Sequence, residues 1–228
     1  MSESLTTKRV RRTKAEQRAE TLEQILDAAE YLFSRSGLTG VTLRDVAARV
    51  GVHTTLLHYY FDDKTRLFEA VFARRAAVTS SRRMEALARY EAEAGDHPTV
   101  EGALHAFLDT DLDLYMEGGE PWMNYAAFCA RVSNTPEGAA LMDVHFDPVV
   151  LRLVTILKRA LPHYADEDIF WGYHFVTGAF MNTLARTGRI DQLSGFVCRS
   201  DDFDAVKQRI AKFMAAGFLA LGPARSEP

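Results

Sequence analysis

The polar side chains between Thr42 and Lys64 are the part of this sequence best suited to contacting nucleic acid. The segment reads TLRDVAARVGVHTTLLHYYFDDK, and its hydroxyl, imidazole, phenol and cationic groups can hydrogen-bond to phosphates and base edges. Two short helices with Gly51 in the turn between them are expected here, an arrangement that sets the second helix in a DNA groove. The candidate DNA-binding residues are Thr42, Arg44, His53, Thr54, Thr55, His58, Tyr59 and Lys64. The alternative is a generic helical hairpin whose polar face is only solvated.

Hydrophobic periodicity predicts the helices that hold these side chains. Apolar residues from Leu22 to Phe33 recur at helical spacing, and Ser36-Gly37 is a typical helix end. Thr42 followed by Asp45 is a variant of the capping box. The Asp62-Asp63 pair offers a fresh cap for a long helix. The four predicted helices cover residues 20–36, 43–50, 54–60 and 64 to beyond 83, with Leu57, Tyr60 and Phe61 anchoring the third to the core.

The rest of the chain is predicted to be helical throughout. Further helices are expected at residues 99–117, 121–133, 136–161, 166–187 and 202–221, separated by Gly, Pro, Asn and Asp. No segment keeps the period-2 alternation of a strand, so the predicted fold class is all-α, with a three-helix unit in front of a larger helical bundle. The predicted domains are a basic flexible arm (1–19), a helix-turn-helix domain (20–66), a helical ligand-binding and dimerisation domain (67–222) and a tail (223–228).

The charge is unevenly distributed along the chain. The net charge is −4, yet residues 1–14 carry five basic side chains and one acidic one, whereas residues 65–228 carry 17 basic and 22 acidic. A short basic arm ahead of an acidic body is typical of a phosphate-seeking tail. A solubilising tail is an equally good interpretation of the charge alone.

Other chemistry is poorly supported by the sequence. Asp109, Asp111 and Asp113 match the first positions of an EF-hand loop, but Leu114 stands where that loop requires glycine. The seven histidines lack metal-binding spacing, and no nucleophile or phosphate-loop motif is present. We therefore expect no metal, no cofactor and no enzymatic activity.

Composition indicates a cytoplasmic globular protein. Hydrophobic residues make up 47% of the 228 residues and charged residues 25%, an ordinary globular mixture. No apolar run approaches the ~18 residues of a membrane span, since even Val149 to Leu157 is interrupted by Arg152. The basic N-terminus has no apolar stretch behind it, so no secretory signal is predicted. Cys129 and Cys198 are expected to be reduced.

Residues 20–71 resemble the DNA-binding domain of the TetR family of transcriptional regulators. The resemblance is carried by ILDAAEYLFSRSG, VTLRDVAARVGV, a short helix ending in HYYF, and DDKTRLFEAV. It implies a homodimer that places one recognition helix per protomer in the major groove, and it implies DNA contacts at the eight candidate residues given above. His58 stands where many relatives have tyrosine, His53 where serine is common, and Thr55 where glycine is frequent, which leaves base preference open.

Two helices in the back half are candidates for a subunit interface. The segment 166–187 is apolar on nearly every face, and a helix that is hydrophobic all round is buried on two sides. The last predicted helix has an apolar stripe from Phe203 to Leu221. Two such helices per protomer would form the four-helix dimer interface that the resemblance also implies. The alternative is that both are core helices of a monomer.

Aromatic side chains in the same region are candidates for an effector pocket. The back half resembles, more weakly, the effector domains of a TetR subgroup that includes fatty-acid-responsive regulators, through VLRLVTILKRALP, IFWGYHFVTGAF and AKFMAAGFLAL. An apolar pocket with few polar groups suits a hydrophobic small molecule. The candidate lining residues are Trp122, Met123, Tyr125, Phe128, Arg131, Phe146, Trp171, His174 and Phe175. Core packing is the alternative for each of them.

These observations together predict a homodimeric DNA-binding regulator. The expected mechanism is repression from a palindromic operator, with release by a hydrophobic small-molecule effector. An architectural or constitutive DNA-binding protein without a ligand is the alternative, although it would leave about 150 residues of aromatic-rich helical domain without a task.

Overall fold

The computed structural model describes residues 13–222, and within that range all regular structure is α-helical. The helices are α1 (Lys14–Ser36), α2 (Leu43–Val50), α3 (Thr54–Phe61), α4 (Lys64–Ala94), α5 (Val100–Glu117), α6 (Gly119–Val132), α7 (Pro136–Ala160), α8 (Asp166–Leu184), α9 (Arg189–Leu193), α10 (Phe203–Lys207) and α11 (Ile210–Leu221). The all-α prediction is confirmed. None of the helices in this range is long and apolar enough to span a membrane.

The first helix starts earlier than the sequence pattern predicted. Thr13 and Glu16 form a complete capping box, in which the Glu16 N–H donates to Thr13 Oγ1 at 3.2 Å and the Thr13 N–H donates to Glu16 Oε2 at 2.7 Å. The predicted start at residue 20 was therefore wrong, since residues 14–19 are helical. The remainder of the predicted basic arm, residues 1–12, lies outside the described residues, as does the predicted tail 223–228.

The α1–α3 segment forms a three-helix unit with its own apolar centre. Ile25, Phe33, Val46 and Leu57 are all fully buried. That centre continues into the rest of the molecule, because the ring of Phe33 lies edge-on to Phe68 of α4, with centroids 5.0 Å apart. The three-helix unit therefore shares one core with the helices behind it.

The remaining helices form a bundle around α4. α4 packs against α5 and α7, α11 packs against α5 and α8, and α1 docks on α6. The bundle core is made of fully buried aliphatic and aromatic side chains, among them Leu87, Leu104, Phe128, Leu153 and Phe180.

The C-terminal part differs from the prediction in two places. The helix expected over 202–221 is interrupted, because the Arg209 N–H bonds to the carbonyl of Val206 in a tight turn between α10 and α11. The helix expected over 166–187 ends at Leu184, and Arg186 follows with a positive φ of 43°. The short helix α9 then forms in the segment between residues 187 and 202, where the sequence pattern predicted no helix.

A buried ion pair ties α4 to α5. Arg83 donates from Nε and Nη2 to the two carboxylate oxygens of Asp111, at 2.9 and 2.7 Å, and the Tyr115 hydroxyl donates to the same carboxylate at 3.1 Å. Both charged side chains are almost fully buried. The segment that resembled an EF-hand loop is thus part of a continuous helix, with Asp111 turned into the core and Asp113 bonded to Lys207.

We expect the variant Asp111→Ala to lower the free energy of unfolding by about 3–5 kcal/mol, because it leaves the Arg83 guanidinium buried without a counter-charge. The measurement is urea unfolding at fixed protein concentration. The double variant Arg83→Met/Asp111→Leu should recover most of the loss, since it removes both charges. Glu69→Ala, which breaks an exposed pair with Arg66, is the matched control and should change stability by less than about 1 kcal/mol. A loss in Asp111→Ala no larger than in this control would contradict the structural role of the pair.

Candidate nucleic-acid interface

The turn between α2 and α3 is built on a left-handed glycine. Gly51 has φ 80° and ψ 31°, and its N–H, like that of Val52, donates to the carbonyl of Ala47. Glycine adopts this conformation without the strain that a Cβ would add. At the other end of α2, Thr42 and Asp45 form the predicted capping box. The hydroxyl and N–H of Thr42 both bond to the Asp45 carboxylate and lower the pKa of Asp45.

The helix α3 turns its polar side chains outward. His53, Thr55, His58 and Tyr59 are exposed and Thr54 is half-buried, whereas Leu57 is fully buried. Leu57 and the half-buried Tyr60 and Phe61, which pack against the same core, hold the helix as predicted. The opposite surface stays open to a ligand. His53 occupies the cap position, but its side chain makes no capping hydrogen bond, so the imidazole is not needed to hold the helix end.

A strained turn after α3 orients His58. Asp62 has φ 57° and ψ −63°, and the Asp63 N–H bonds back to the carbonyl of Phe61, which defines a γ-turn of the rare positive-φ type. His58 Nδ1 lies 2.8 Å from the Asp62 carbonyl oxygen. Because a carbonyl can only accept, Nδ1 carries the hydrogen and Nε2 remains for another partner. The turn thus fixes both the ring and its tautomer.

The remaining three candidates lie at helix starts. Thr42 is exposed, but its hydroxyl is engaged with Asp45. Arg44 is exposed on the first turn of α2 and has no ion pair within residues 13–222. Lys64 is the first residue of α4, directly after the Asp63 cap. The Asp63 carboxylate already accepts from the Arg66 N–H at this helix start, so the group that suits a phosphate is the Lys64 ammonium.

Sequence reasoning missed Arg18, which the structure places against the recognition helix. The Arg18 guanidinium lies 5.2 Å from the ring centroid of Tyr59 and 5.5 Å from that of Tyr60. The Tyr60 hydroxyl also points to the Arg18 carbonyl oxygen, at 3.5 Å. The signal that reveals this residue is the Thr13-x-x-Glu16 capping box, because it extends α1 far enough to bring Arg18 beside α3.

The nine candidate effector residues do not form one pocket. Tyr125, Phe128 and Phe146 are buried, and Trp122 and Met123 are half-buried beside them. The second group, Trp171, His174 and Phe175, is exposed on α8. Arg131 is exposed as well, and its Nε donates to the Ser34 carbonyl of α1 at 3.2 Å.

The two groups are separated because α8 has two apolar sides. Ile169, Val176 and Phe180 occupy the side that faces the bundle, so Trp171 and Phe175 are left on the outer side. His174 borders a separate groove of about 310 Å³ between α6 and α8, whose other walls include Asn134, Met181 and Asn182.

Ion pairs between α1 and α4 connect the three-helix unit to the bundle; we call this contact the junction. Glu30 of α1 is buried and accepts from Arg75 Nε at 2.6 Å and from Arg74 Nη2 at 3.0 Å, both on α4. The Arg75 guanidinium also lies 4.8 Å from the ring centroid of Trp122 on α6. A cleft of about 450 Å³ lies next to this junction, between α1, the end of α2 and the start of α6.

Comparison with known families assigns both halves of the chain. Residues 25–71 match the model described as bacterial regulatory proteins, tetR family. Residues 105–217 match the model described as Tetracyclin repressor-like, C-terminal domain. The two matched regions together cover well over half of the chain.

Individual relatives are consistent with these matches. The chain is 29% identical to the HTH-type transcriptional regulator BetI of Stenotrophomonas maltophilia, over 62% of this chain and 69% of that protein. It is 31% identical to the HTH-type transcriptional repressor BepR of Brucella suis biovar 1, over 59% of this chain and 61% of that protein. Among solved structures, a TetR-like transcriptional regulator from Rhodococcus sp. RHA1 shares the fold with a TM-score of 0.61 at 20% identity, covering 89% of this chain and 97% of that one. Since both halves match in the expected order, the chain belongs to the TetR family of transcriptional regulators.

Proposed function

We propose that this regulator is a homodimeric repressor that binds a palindromic operator through α3. The observation that carries the proposal is the outward polar surface of α3, with Thr55, His58 and Tyr59 exposed opposite the buried Leu57. A short helix with this surface fits the major groove. Similarity to a protein named as a transcriptional repressor supports repression. A DNA partner on the chromosome also favours a cytoplasmic location.

The candidate DNA contacts divide into two kinds. Arg44 and Lys64 lie at helix starts and suit phosphates, which position the protein without reading sequence. Nε2 of His58 is left as an acceptor by the bond from Nδ1 to the Asp62 carbonyl, so it suits an amino group on a base edge. Thr54 and Thr55 lie in the first turn of α3, the part of a recognition helix that contacts base edges. The predicted basic residues before Thr13 would add phosphate contacts and steepen the salt dependence.

The homodimer is proposed to form through the outer sides of α8 and α11. Five large apolar side chains are 46–73% exposed there. They are Phe170, Trp171, Phe175, Phe213 and Leu219. We call this surface the α8–α11 face. Several large apolar side chains exposed on two packed helices mark an interaction site, and a two-fold dimer presents the same patch on both subunits.

The effector is proposed to be a hydrophobic small molecule that binds beside Trp122. Trp122 is half-buried and lies edge-on to Tyr125, with centroids 5.9 Å apart. The Tyr125 hydroxyl is buried next to the Cys129 thiol and makes no well-aligned hydrogen bond within the described residues. An acceptor on the ligand would give that hydroxyl a stronger partner than the thiol, whose sulfur is only a weak acceptor.

Displacement of Trp122 would reach the DNA-binding helices by a short route. The Trp122 ring contacts Arg75, and Arg75 bonds to Glu30 of α1. A ligand that moves the indole of Trp122 therefore also moves the Arg75 guanidinium, which helps to hold α1 in position through Glu30. Regulation further requires that the ligand bind the shifted arrangement more tightly than the DNA-bound one.

We expect the protein to protect a discrete palindrome whose half-site centres lie about 34–36 Å apart or slightly more, because each protomer of a two-fold dimer inserts one α3. Footprinting on genomic DNA next to the coding region measures this. Uniform, strongly salt-sensitive coverage without a preferred site would contradict the operator-binding proposal and support the architectural alternative.

Substitutions in the three-helix unit should separate phosphate contacts from base contacts. Lys64→Ala should weaken binding to all sequences alike and reduce the slope of log K against log salt by about 1, since it removes one phosphate contact. Thr55→Val should instead change which operator variant binds best, by about 1–3 kcal/mol at the contacted position. Binding is measured by fluorescence anisotropy on an operator panel at several salt concentrations.

The matched control for these variants is the exposed Arg89, which lies on α4 about 37 Å along the helix from Lys64. Arg89→Ala should leave the salt slope unchanged. Equal slopes for Lys64→Ala and Arg89→Ala, together with an unaltered preference in Thr55→Val, would refute the assigned docking mode.

Ligand release should distinguish the two tryptophans. We expect a lipophilic compound that releases the operator, tested from a panel of acyl chains and lipophilic drugs, to lower operator affinity about 5–150-fold in the wild type. Trp122→Ala should shift the compound concentration needed for release, because that ring lies at the proposed site. Trp171→Ala, assayed at protein concentrations where the dimer is complete, should not. Identical potency for the wild type and Trp122→Ala would place the effector elsewhere.

A further inference from the structure

The segment between α8 and α10 presents large apolar side chains to solvent. Ile190, Leu193, Phe196 and Val197 are 48–86% exposed, and none of the residues of α9 is buried. We call residues 188–200 the apolar projection. The exposed fractions of these four side chains are as high as those of the five in the α8–α11 face, which run from 46% to 73%.

Internal hydrogen bonds hold the apolar projection in one shape. The Phe196 N–H donates to the Asp191 carbonyl at 2.7 Å, and the Cys198 N–H donates to Ser194 Oγ at 2.9 Å. The Asp191 carboxylate in turn accepts from the N–H and the hydroxyl of Ser200. The exposed apolar side chains are therefore displayed on a defined scaffold.

The scaffold also holds a strained residue. Phe196 has φ 66°, in the left-handed region that a bulky side chain rarely adopts. Such a conformation costs on the order of 1–3 kcal/mol and persists where the surroundings impose it, most often at functional surfaces. The residue in this conformation carries a large aromatic ring that is 59% exposed.

We propose that the apolar projection packs against the second copy of the chain and forms part of the dimer interface. The inference rests on the proposed homodimer and extends it. The projection begins three residues beyond α8, the helix that carries three of the five residues of the α8–α11 face. A dimer closed through that face alone would leave about half of these exposed apolar side chains in water, although homodimer interfaces are the most apolar of protein surfaces.

Charged residues around the projection fit an interface rim. Arg199 pairs with Asp201 at 3.0 Å, and Arg186 donates to the Met123 carbonyl of α6 at 3.1 Å. Charges at the edge of an apolar centre are the usual pattern of subunit contacts. The bond from Arg186 also anchors the base of the projection to α6.

The exposed thiol of Cys198 provides a labelling site for testing this contact. Cys198 is an exposed thiol inside the projection, whereas Cys129 is buried, and burial raises the pKa of its thiol to about 12. A maleimide carrying a benzophenone group should therefore label Cys198 selectively. Illumination of the labelled dimer should give a covalently linked pair of chains on a denaturing gel, with the crosslinked peptide identified by mass spectrometry. Cys198→Ser is the control and should give no pair.

Substitution provides a second, independent measurement. Leu193→Asp/Val197→Asp should weaken dimerisation at least tenfold in sedimentation equilibrium, since it places two charges in an apolar contact. The matched control is Val144→Asp/Leu151→Asp, which changes two exposed apolar residues of α7 and should leave dimerisation unchanged. Circular dichroism verifies that both double variants are folded.

The outcomes separate the projection from the dimer itself. A wild-type dimer that gives only crosslinks within one chain, and whose Leu193→Asp/Val197→Asp variant dimerises like the α7 control, would overturn the projection contact while leaving the homodimer intact. A wild-type protein that sediments as a monomer with or without operator DNA would instead overturn the homodimer, and the contact with it.

Discussion

The buried carboxylate of Glu30 is the constraint on which the position of the DNA-binding helices depends. It lies inside the junction between α1 and α4 and is held by Arg74 and Arg75. A carboxylate removed from water without a partner is strongly destabilising, and the loss of one member of a buried pair typically costs about 3–5 kcal/mol. α1 therefore cannot rotate or slide along α4 unless the two arginines move with it. Since α3 packs through Leu57 on the core that α1 shares, the recognition helix follows α1.

The helix α4 turns this local constraint into a long-range one. It runs unbroken from Lys64 to Ala94, a length of about 46 Å at 1.5 Å per residue. About two turns beyond Arg75, the buried pair of Arg83 with Asp111 fixes the same helix to α5. α4 is thus fixed to α5 through Arg83, and it is bonded to α1 of the three-helix unit through Arg74 and Arg75. Trp122 of α6 contacts α4 at the point where α4 bonds to α1, because the Arg75 guanidinium both bonds to Glu30 and lies over the indole ring.

Local chemistry made most of the fold predictable, and the failures occurred where tertiary packing decides. α1 ends before Gly37, α2 ends before Gly51 and α4 begins after Asp63. Backbone groups at helix termini need a cap or a residue with positive φ nearby. The start of α1 was missed although Thr13-x-x-Glu16 carries the same signal, since its first turns are exposed on all sides and lack apolar periodicity. The break before α11 has no signal of this kind, because Gln208 and Arg209 are ordinary helix formers.

The candidate site follows the same division. Exposure on α3 was predictable because a single apolar residue per turn is enough to anchor a short helix, which leaves its neighbours outside. The positions of the nine candidate effector residues were not predictable, because pocket walls, subunit contacts and the core are all made from the same apolar side chains. On α8, Trp171 and Val176 are both apolar residues. Trp171 is exposed and Val176 is buried only because of how α6, α7 and α11 pack around the helix. The same kinds of apolar side chain therefore form the core and the exposed surfaces of this domain, and only the packing of neighbouring helices distinguishes one from the other.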